Sequence, residues 1–149
     1  MPLLLFHIRN MQTHHPKRSA DVRVGHLHLD QEHVKEIESR LSEFFAKERP
    51  FLQQGYTLRQ LTADIRIPLH HISAFINQHY GMNFNDFINR FRVDHYIMKI
   101  AEGEWRYKKL EAIAGEAGFN NRNTFRIAFK KATGLSPSAY LKKQLRKIL

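Results

Sequence analysis

A run of polar side chains near residue 122 can form paired hydrogen bonds with planar groups such as nucleic-acid bases. Arg122, Asn123, Arg126 and Lys130 are spaced so that all four share one face of a helix. An arginine guanidinium can donate two parallel hydrogen bonds to guanine, and an asparagine amide can bind adenine in the same two-point way. This run is therefore suited to reading base edges in the major groove of DNA.

A second polar run lies earlier in the chain. Its members are His70, His71, Ser73, Asn77 and Gln78. They alternate with apolar residues in the pattern of an amphipathic helix, so we expect them on its outer face. Both runs are predicted to project from helices that can enter a DNA groove, and the run near residue 122 is the better equipped because it carries the arginines.

The charge of the chain favours an anionic partner. The net charge is +10, and residues 104–149 hold 11 lysines and arginines against 3 glutamates. A basic surface of this kind attracts the phosphates of a nucleic acid. The residues predicted to contact phosphate, without reading sequence, are Lys109, Lys130, Lys131, Lys142 and Lys143.

Catalytic and metal-binding chemistry finds little support in the sequence. There is no cysteine, which excludes disulfides and thiolate metal sites. The ten histidines lack the spacing of a metal site, and no catalytic triad or phosphate-binding glycine loop is recognisable. No apolar run approaches the ~20 residues that a membrane-spanning helix needs. We expect no enzyme activity, no cofactor, no bound metal and no membrane contact.

Apolar residues recur with helical rather than strand periodicity from residue 30 onwards, which predicts an all-α fold. Residues 1–29 show no such period and are predicted to form an irregular or disordered tail. Residues 30–49 are predicted to form an extra amphipathic helix, capped by Asp30 and ended by Pro50. Its apolar stripe includes Val34, Ile37, Leu41, Phe44 and Phe45.

The rest of the chain, residues 51–149, is predicted to form two helix-turn-helix subdomains. Residues 51–82 make the first unit, residues 83–103 a long linker helix and residues 104–149 the second unit. Leu61 and Ile113 are 52 residues apart, and Gly81 and Gly134 are 53 apart, so the units repeat each other.

Within each unit, a short helix leads through a tight turn into a second helix. The second helices are predicted over about 68–80 and 121–133. This is the spacing of a helix-turn-helix motif, whose second helix enters the major groove.

Residues in both units resemble one known family. In the second unit the resemblance rests on Ile113-Ala114, Gly118-Phe119, Phe125, Phe129-Lys130-Lys131, Gly134 and Ser136-Pro137. In the first unit and the linker it rests on Leu61, Ile65, Ile72-Ser73, Tyr80-Gly81, Asn83-Phe84, Phe87 and Arg92-Val93. Together these cover about residues 51–145 and resemble the DNA-binding domain of the AraC/XylS transcription activators.

The resemblance implies two recognition helices on one linker helix, entering successive major-groove segments about one helical turn apart. The base-facing positions that it implies are His70, Ser73 and Ala74 in the first unit and Arg122, Asn123, Arg126 and Ile127 in the second. The predicted DNA-binding set is completed by His71, Asn77, Asn121, Lys130 and Lys131.

Two of these positions depart from a common pattern of the family. Ala74 and Ile127 stand where the family often has arginine. The first unit is therefore expected to bind weakly or to read DNA shape, while Arg122 and Arg126 dominate recognition.

We expect double-stranded DNA and the transcription machinery as partners, in the cytoplasm at the nucleoid. The helix at residues 30–49 is predicted to dock on the core or, alternatively, to join two copies as a homodimer. Members of the family generally carry a sensor domain, which residues 1–29 are too short to form. The chain is thus expected to be a short stand-alone regulator or the cytoplasmic output end of a longer protein.

Two other functions stay open from the sequence. One is a nonspecific architectural nucleic-acid binder, and the other is a helical adaptor whose basic face binds an acidic protein.

Overall fold

The computed structural model describes residues 27–148, so residues 1–26 of the predicted tail lie outside the described part. The described residues contain seven α-helices and no strand. The helices are α1 (Gln31–Glu48), α2 (Leu58–Ile65), α3 (Leu69–Tyr80), α4 (Phe84–Ala101), α5 (Leu110–Glu116), α6 (Arg122–Thr133) and α7 (Pro137–Ile148). Short 3₁₀ turns lie at Pro50–Leu52 and Glu104–Arg106. The predicted all-α fold is confirmed: two helix-turn-helix units are joined by α4 and preceded by α1.

Polar side chains cap the first turn of several helices, including Asp30, the cap predicted for residues 30–49. Asp30 accepts a hydrogen bond from the backbone N–H of His33 at 2.8 Å, and Thr57 forms a reciprocal capping box with Gln60. The other caps are Asn83, Asn121 and Ser136. Pro68, predicted inside the first turn of its helix, instead immediately precedes α3, which begins at Leu69.

The chain divides into two compact units. The first contains the described residues up to Pro50 together with Tyr56–Phe87. The second contains Phe51–Gly55 together with the residues from Ile88 onwards. The short segment Phe51–Gly55, which the sequence pattern groups with the first unit, thus lies in the second.

In the first unit, α1 packs against α2 and α3. Ile37, Leu41 and Phe45 are buried there, and the ring of Phe45 lies 5.6 Å from that of Phe87 in an edge-to-face contact. Because most of the predicted apolar stripe is used inside the unit, these three residues are not available to a second copy. A homodimer through residues 30–49 stays a prediction that depends on other side chains.

The residue that precedes α1 also belongs to this core. Leu29, predicted within the irregular tail, is buried. It stands directly before the N-cap Asp30, the position of a hydrophobic staple, which fixes the direction from which the chain enters the helix.

The core of the second unit joins α4, α5 and α6. Tyr96 of α4 lies between Phe125 and Phe129 of α6, with ring centroids 4.8 and 5.4 Å away. Ile113 of α5 is fully buried in the same cluster, and Tyr140 of α7 packs edge-to-face on Phe129. This core holds α6 by one face and leaves the other face to solvent.

A buried arginine ties the segment Phe51–Gly55 into the second unit. Arg92 of α4 donates through Nε to the carbonyl of Phe51 at 2.8 Å and through Nη2 to that of Gln53 at 3.0 Å. Its guanidinium also lies over the ring of Phe119, and burial lowers its pKa. These bonds engage two backbone carbonyls of a segment that belongs to no α-helix, so the segment is fixed to the unit that bears α6.

The turn between α5 and α6 depends on Gly118. Its φ is +101°, a conformation that residues with a Cβ rarely adopt. A Cβ at this position would overlap the carbonyl oxygen of Phe51 and lie 2.8 Å from Nε of Arg92. The close approach of these three groups therefore requires a glycine in the turn.

Candidate nucleic-acid interface

The outer face of α6 carries the side chains predicted to read DNA. Phe125 and Phe129 point into the core, whereas Arg122, Asn123 and Arg126 are exposed. Ile127, Lys130 and Lys131 are exposed as well. The helix therefore presents a polar and basic stripe. It contains a single large apolar residue, Ile127, which is 61% exposed.

Asn121 is the N-cap of α6 and does not lie on its outer face. Its side-chain oxygen accepts from the backbone N–H groups of Asn123 at 2.8 Å and Thr124 at 3.0 Å. These two hydrogen bonds satisfy two of the free backbone donors at the start of α6 and fix where the helix begins. The amide oxygen of Asn121 is thus already engaged, and the orientation of Arg122 follows from the cap.

Arg122 has an acidic neighbour that the sequence pattern did not reveal. Its Nη2 lies 3.3 Å from Oε1 of Glu111 on α5, and both side chains are more than half exposed. An exposed pair of this kind contributes little to stability, at most about 1 kcal/mol. It nevertheless places a carboxylate beside the residue best suited to bind guanine. No local signal predicts this pair, because its members lie on different helices.

In the first unit, α3 presents a less uniform face. His70 and Asn77 are exposed, while Ser73 and Ala74 are half-buried. The side-chain amide of Asn77 donates to the carbonyl of Ser73 within the helix at 3.0 Å. These four residues share one face of α3. Two of their side chains are small, and the amide of Asn77 already donates a hydrogen bond within the helix.

One flank of α3 is occupied by the chain that leads into α1. Gln78 donates to the carbonyl of Leu27 at 2.8 Å, and the ring of His33 lies 6.2 Å from that of His71 in an edge-to-face contact. Asp30 bonds His33 and raises the pKa of its imidazole. His71 and Gln78, predicted to point outward, thus face the start of α1, so fewer side chains of α3 are free for DNA than the sequence suggests.

The lysines predicted to contact phosphate all lie at the surface of the second unit. They are Lys109, Lys130, Lys131, Lys142 and Lys143. Lys130 and Lys131 lie in the last turn of α6, and Lys142 and Lys143 lie on α7. Positive charge is thus exposed on α6 itself and on the elements that precede and follow it.

Two structural observations bear on other chemistry. Among residues 27–148, no three histidine, aspartate or glutamate side chains are grouped so that they could hold a metal ion. Within the same range, no helix is long and apolar enough to cross a membrane.

The fold and the exposed face of α6 define a helix-turn-helix protein of the DNA-binding class. Comparison with known families agrees: the model of a family described as a helix-turn-helix domain matches residues 55–143. The chain belongs to this AraC-type helix-turn-helix family, whose members are DNA-binding transcription regulators.

Two relatives illustrate the match. An uncharacterized transcriptional regulatory protein of Bacillus subtilis (strain 168), YesN, is 35% identical over 77 residues, which are 50% of this chain and 20% of YesN. The chain therefore spans about a fifth of that relative's length. A solved structure of a protein of unknown function from Listeria innocua is 28% identical with a TM-score of 0.58, covering 71% of this chain and 94% of that one.

Proposed function

We propose that this protein is a sequence-specific transcription regulator that binds duplex DNA through α3 and α6 and catalyses no reaction. The two helices enter adjacent segments of the major groove, and the protein acts in the cytoplasm at the nucleoid. The observation that carries the proposal is the exposed face of α6. There Arg122, Asn123 and Arg126 stand free of the core on a helix fixed by its N-cap.

The chemistry of this face supports base reading rather than charge attraction alone. The donors of Arg122 and Arg126 match the two acceptors of guanine, and the amide of Asn123 matches adenine. These residues lie in the first two turns of α6, the part of a recognition helix that reaches the base edges. The lysines of α6 and α7 supply phosphate contacts, which add affinity without sequence preference.

The second unit contributes most of the specificity in this proposal. In α3, His71 and Gln78 face the start of α1, and Ala74 offers no hydrogen bond. The remaining exposed polar residues, His70 and Asn77, are fewer than those of α6 and lack arginine. We therefore assign to α3 a supporting role in positioning the protein on DNA.

The direct test is selection of bound duplexes from a random library at about 150 mM salt, followed by titration of the selected site against scrambled DNA. A preference of about 10³-fold or more for the selected site supports a sequence-specific regulator. Arg122→Ala is expected to weaken binding to that site by roughly 5- to 150-fold and to relax the preference at one base pair.

The matched control is Arg146→Ala, which removes an exposed arginine of α7. Because Arg146 lies on α7, outside both proposed recognition helices, its loss is expected to weaken all sequences equally and to lower the salt dependence. Binding without enrichment would make the protein a nonspecific architectural binder. Failure to bind DNA at low salt would favour a protein-interaction adaptor, and either result overturns the proposal.

A further inference from the structure

Ile127 is the one large apolar side chain exposed on the described part of α6. It is 61% exposed, whereas Phe125 and Phe129 of the same helix are 4% and 0% exposed. Single exposed apolar residues are common on protein surfaces, so exposure alone indicates nothing. What distinguishes Ile127 is its place, one turn after Asn123 and beside Arg126, within the stripe proposed to face the bases.

The neighbours of Ile127 on α6 give it no large apolar partner. They are Asn123, Thr124, Arg126, Lys130 and Lys131, and each of them is exposed. Its own helix buries the opposite face, so the side chain cannot turn into the core. The apolar surface of Ile127 is therefore covered only if a ligand of α6 brings an apolar group to it.

In the major groove, the 5-methyl of thymine is the apolar group that a base pair presents. Resting on the function proposed above, we propose that Ile127 determines specificity by packing on the 5-methyl group of one thymine in the binding site. Arginine at this position would instead donate hydrogen bonds to guanine. Isoleucine in place of arginine at residue 127 thus changes the preferred base from guanine to thymine and does more than weaken binding.

The test removes the methyl group and nothing else. In the site recovered by selection, each thymine is replaced in turn by uracil, which keeps every base-pair hydrogen bond. For the full chain, one replacement is expected to weaken binding about three- to five-fold, the amount that corresponds to burying one methyl group. In Ile127→Ala that same replacement is expected to have no effect.

Two further variants sharpen the test. Ile148→Ala is the matched control, because Ile148 is also an exposed isoleucine, 73% exposed, but lies at the end of α7. It is expected to keep the full sensitivity to uracil. Ile127→Arg is expected to change the preferred base at the sensitive position from thymine to guanine in a repeated selection.

Distinct outcomes separate this inference from the proposed function. If selection enriches a site but no uracil replacement weakens binding, or if Ile127→Ala stays equally sensitive, thymine reading by Ile127 is wrong and the regulator function stands. Retention of thymine by Ile127→Arg also overturns the inference. If no site is enriched at all, the proposed function fails and the inference fails with it.

Discussion

Nη2 of Arg122 lies 3.3 Å from Oε1 of Glu111, so an arginine that we propose binds guanine is paired with a carboxylate on the preceding helix. To bind a base with both donors, the guanidinium has to loosen this pair. In the proposed complex, the carboxylate also brings a negative charge towards the DNA phosphates. Both effects oppose DNA binding, and both are screened by salt.

Glu111→Gln is therefore expected to increase DNA affinity. Since an exposed pair contributes at most about 1 kcal/mol, we expect a two- to five-fold gain at low salt that shrinks as salt is added. Fluorescence anisotropy with the selected duplex measures it. The control is Glu116→Gln on the same helix, which makes the same charge change but removes a partner of Lys108 instead of the partner of Arg122.

A double-mutant cycle with Arg122→Ala isolates the contact between Arg122 and Glu111. In that background, Glu111→Gln is expected to change affinity no more than Glu116→Gln does. A loss of affinity in Glu111→Gln would contradict the prediction and would mean that Glu111 holds Arg122 in its binding orientation or itself accepts a hydrogen bond from a base.

Gly118→Ala is expected to destabilise the second unit severely. The substitution forces a Cβ against the carbonyl of Phe51 and requires alanine to adopt a φ of +101°. Backbone strain and the steric overlap together are expected to cost more than about 3 kcal/mol. Thermal or urea denaturation measures this loss.

The matched control is Gly115→Ala, which lies inside α5, three residues before Gly118. A Cβ at Gly115 meets only the end of the Gln54 side chain at 3.8 Å, an ordinary contact. Because alanine favours a helix over glycine, this variant is expected to keep or raise stability by up to about 1 kcal/mol. Equal stability for the two variants would contradict the role given to Gly118.

Helix ends could be predicted from the sequence because their signals act over a few residues. Asp30, Thr57 and Asn121 each cap a backbone group no more than three residues away. The exposure of the α6 face follows in the same way, since helical periodicity places Phe125 and Phe129 opposite Arg122 and Arg126. Contact of these arginines with bases stays a prediction.

Contacts between distant segments could not be predicted in this way. Arg92 binds the carbonyl of Phe51, 41 residues away, and a backbone carbonyl has no signature in the sequence. The covering of His71 and Gln78 by the start of α1 was missed because polar side chains suggest solvent or DNA, yet they also bond within a protein. The pair of Arg122 with Glu111 was missed because it depends on how two helices pack.

Tyr96→Phe is expected to stabilise the second unit. The ring of Tyr96 is fully buried, and its hydroxyl has no hydrogen-bond partner among the described residues. Burial, followed by the charge of Glu111, raises the pKa of this phenol. Phenylalanine keeps the packing on Phe125 and removes a desolvated polar group, so we expect a gain of about 1 kcal/mol in urea denaturation.

Tyr56→Phe is the comparison for this change, since it removes a hydroxyl that does have a partner. The Tyr56 hydroxyl donates to Oδ2 of Asp64 at 2.5 Å. Its loss is expected to lower stability by about 1.5 kcal/mol or more, because hydrogen bonds to charged groups contribute more than neutral ones. A destabilised Tyr96→Phe would show that its hydroxyl is satisfied.

Glu104→Gln is expected to make the second unit less stable at neutral pH and less sensitive to acid. Glu104 is buried in the turn after α4, where its carboxylate lies 3.0 Å from Nζ of Lys108 and 3.2 Å from that of Lys99. The hydrogen bonds from Lys108 and then Lys99 lower the pKa of Glu104. Because the folded pKa lies below the unfolded one, the carboxylate stabilises the fold above the ordinary value of about 4.3.

This contribution is lost as pH falls through the lowered folded pKa, when the carboxyl takes up a proton. The difference in Tm between the natural protein and Glu104→Gln is therefore expected to be largest near pH 7 and to shrink below about pH 4. Glu102→Gln is the control, since Glu102 is more exposed and bonds only Lys99 among these lysines. It is expected to lower Tm less at pH 7. A Tm difference for Glu104→Gln that stays constant from pH 7 to pH 3 would contradict the assignment, because an interaction that depends on the ionised carboxylate has to weaken when that group is protonated.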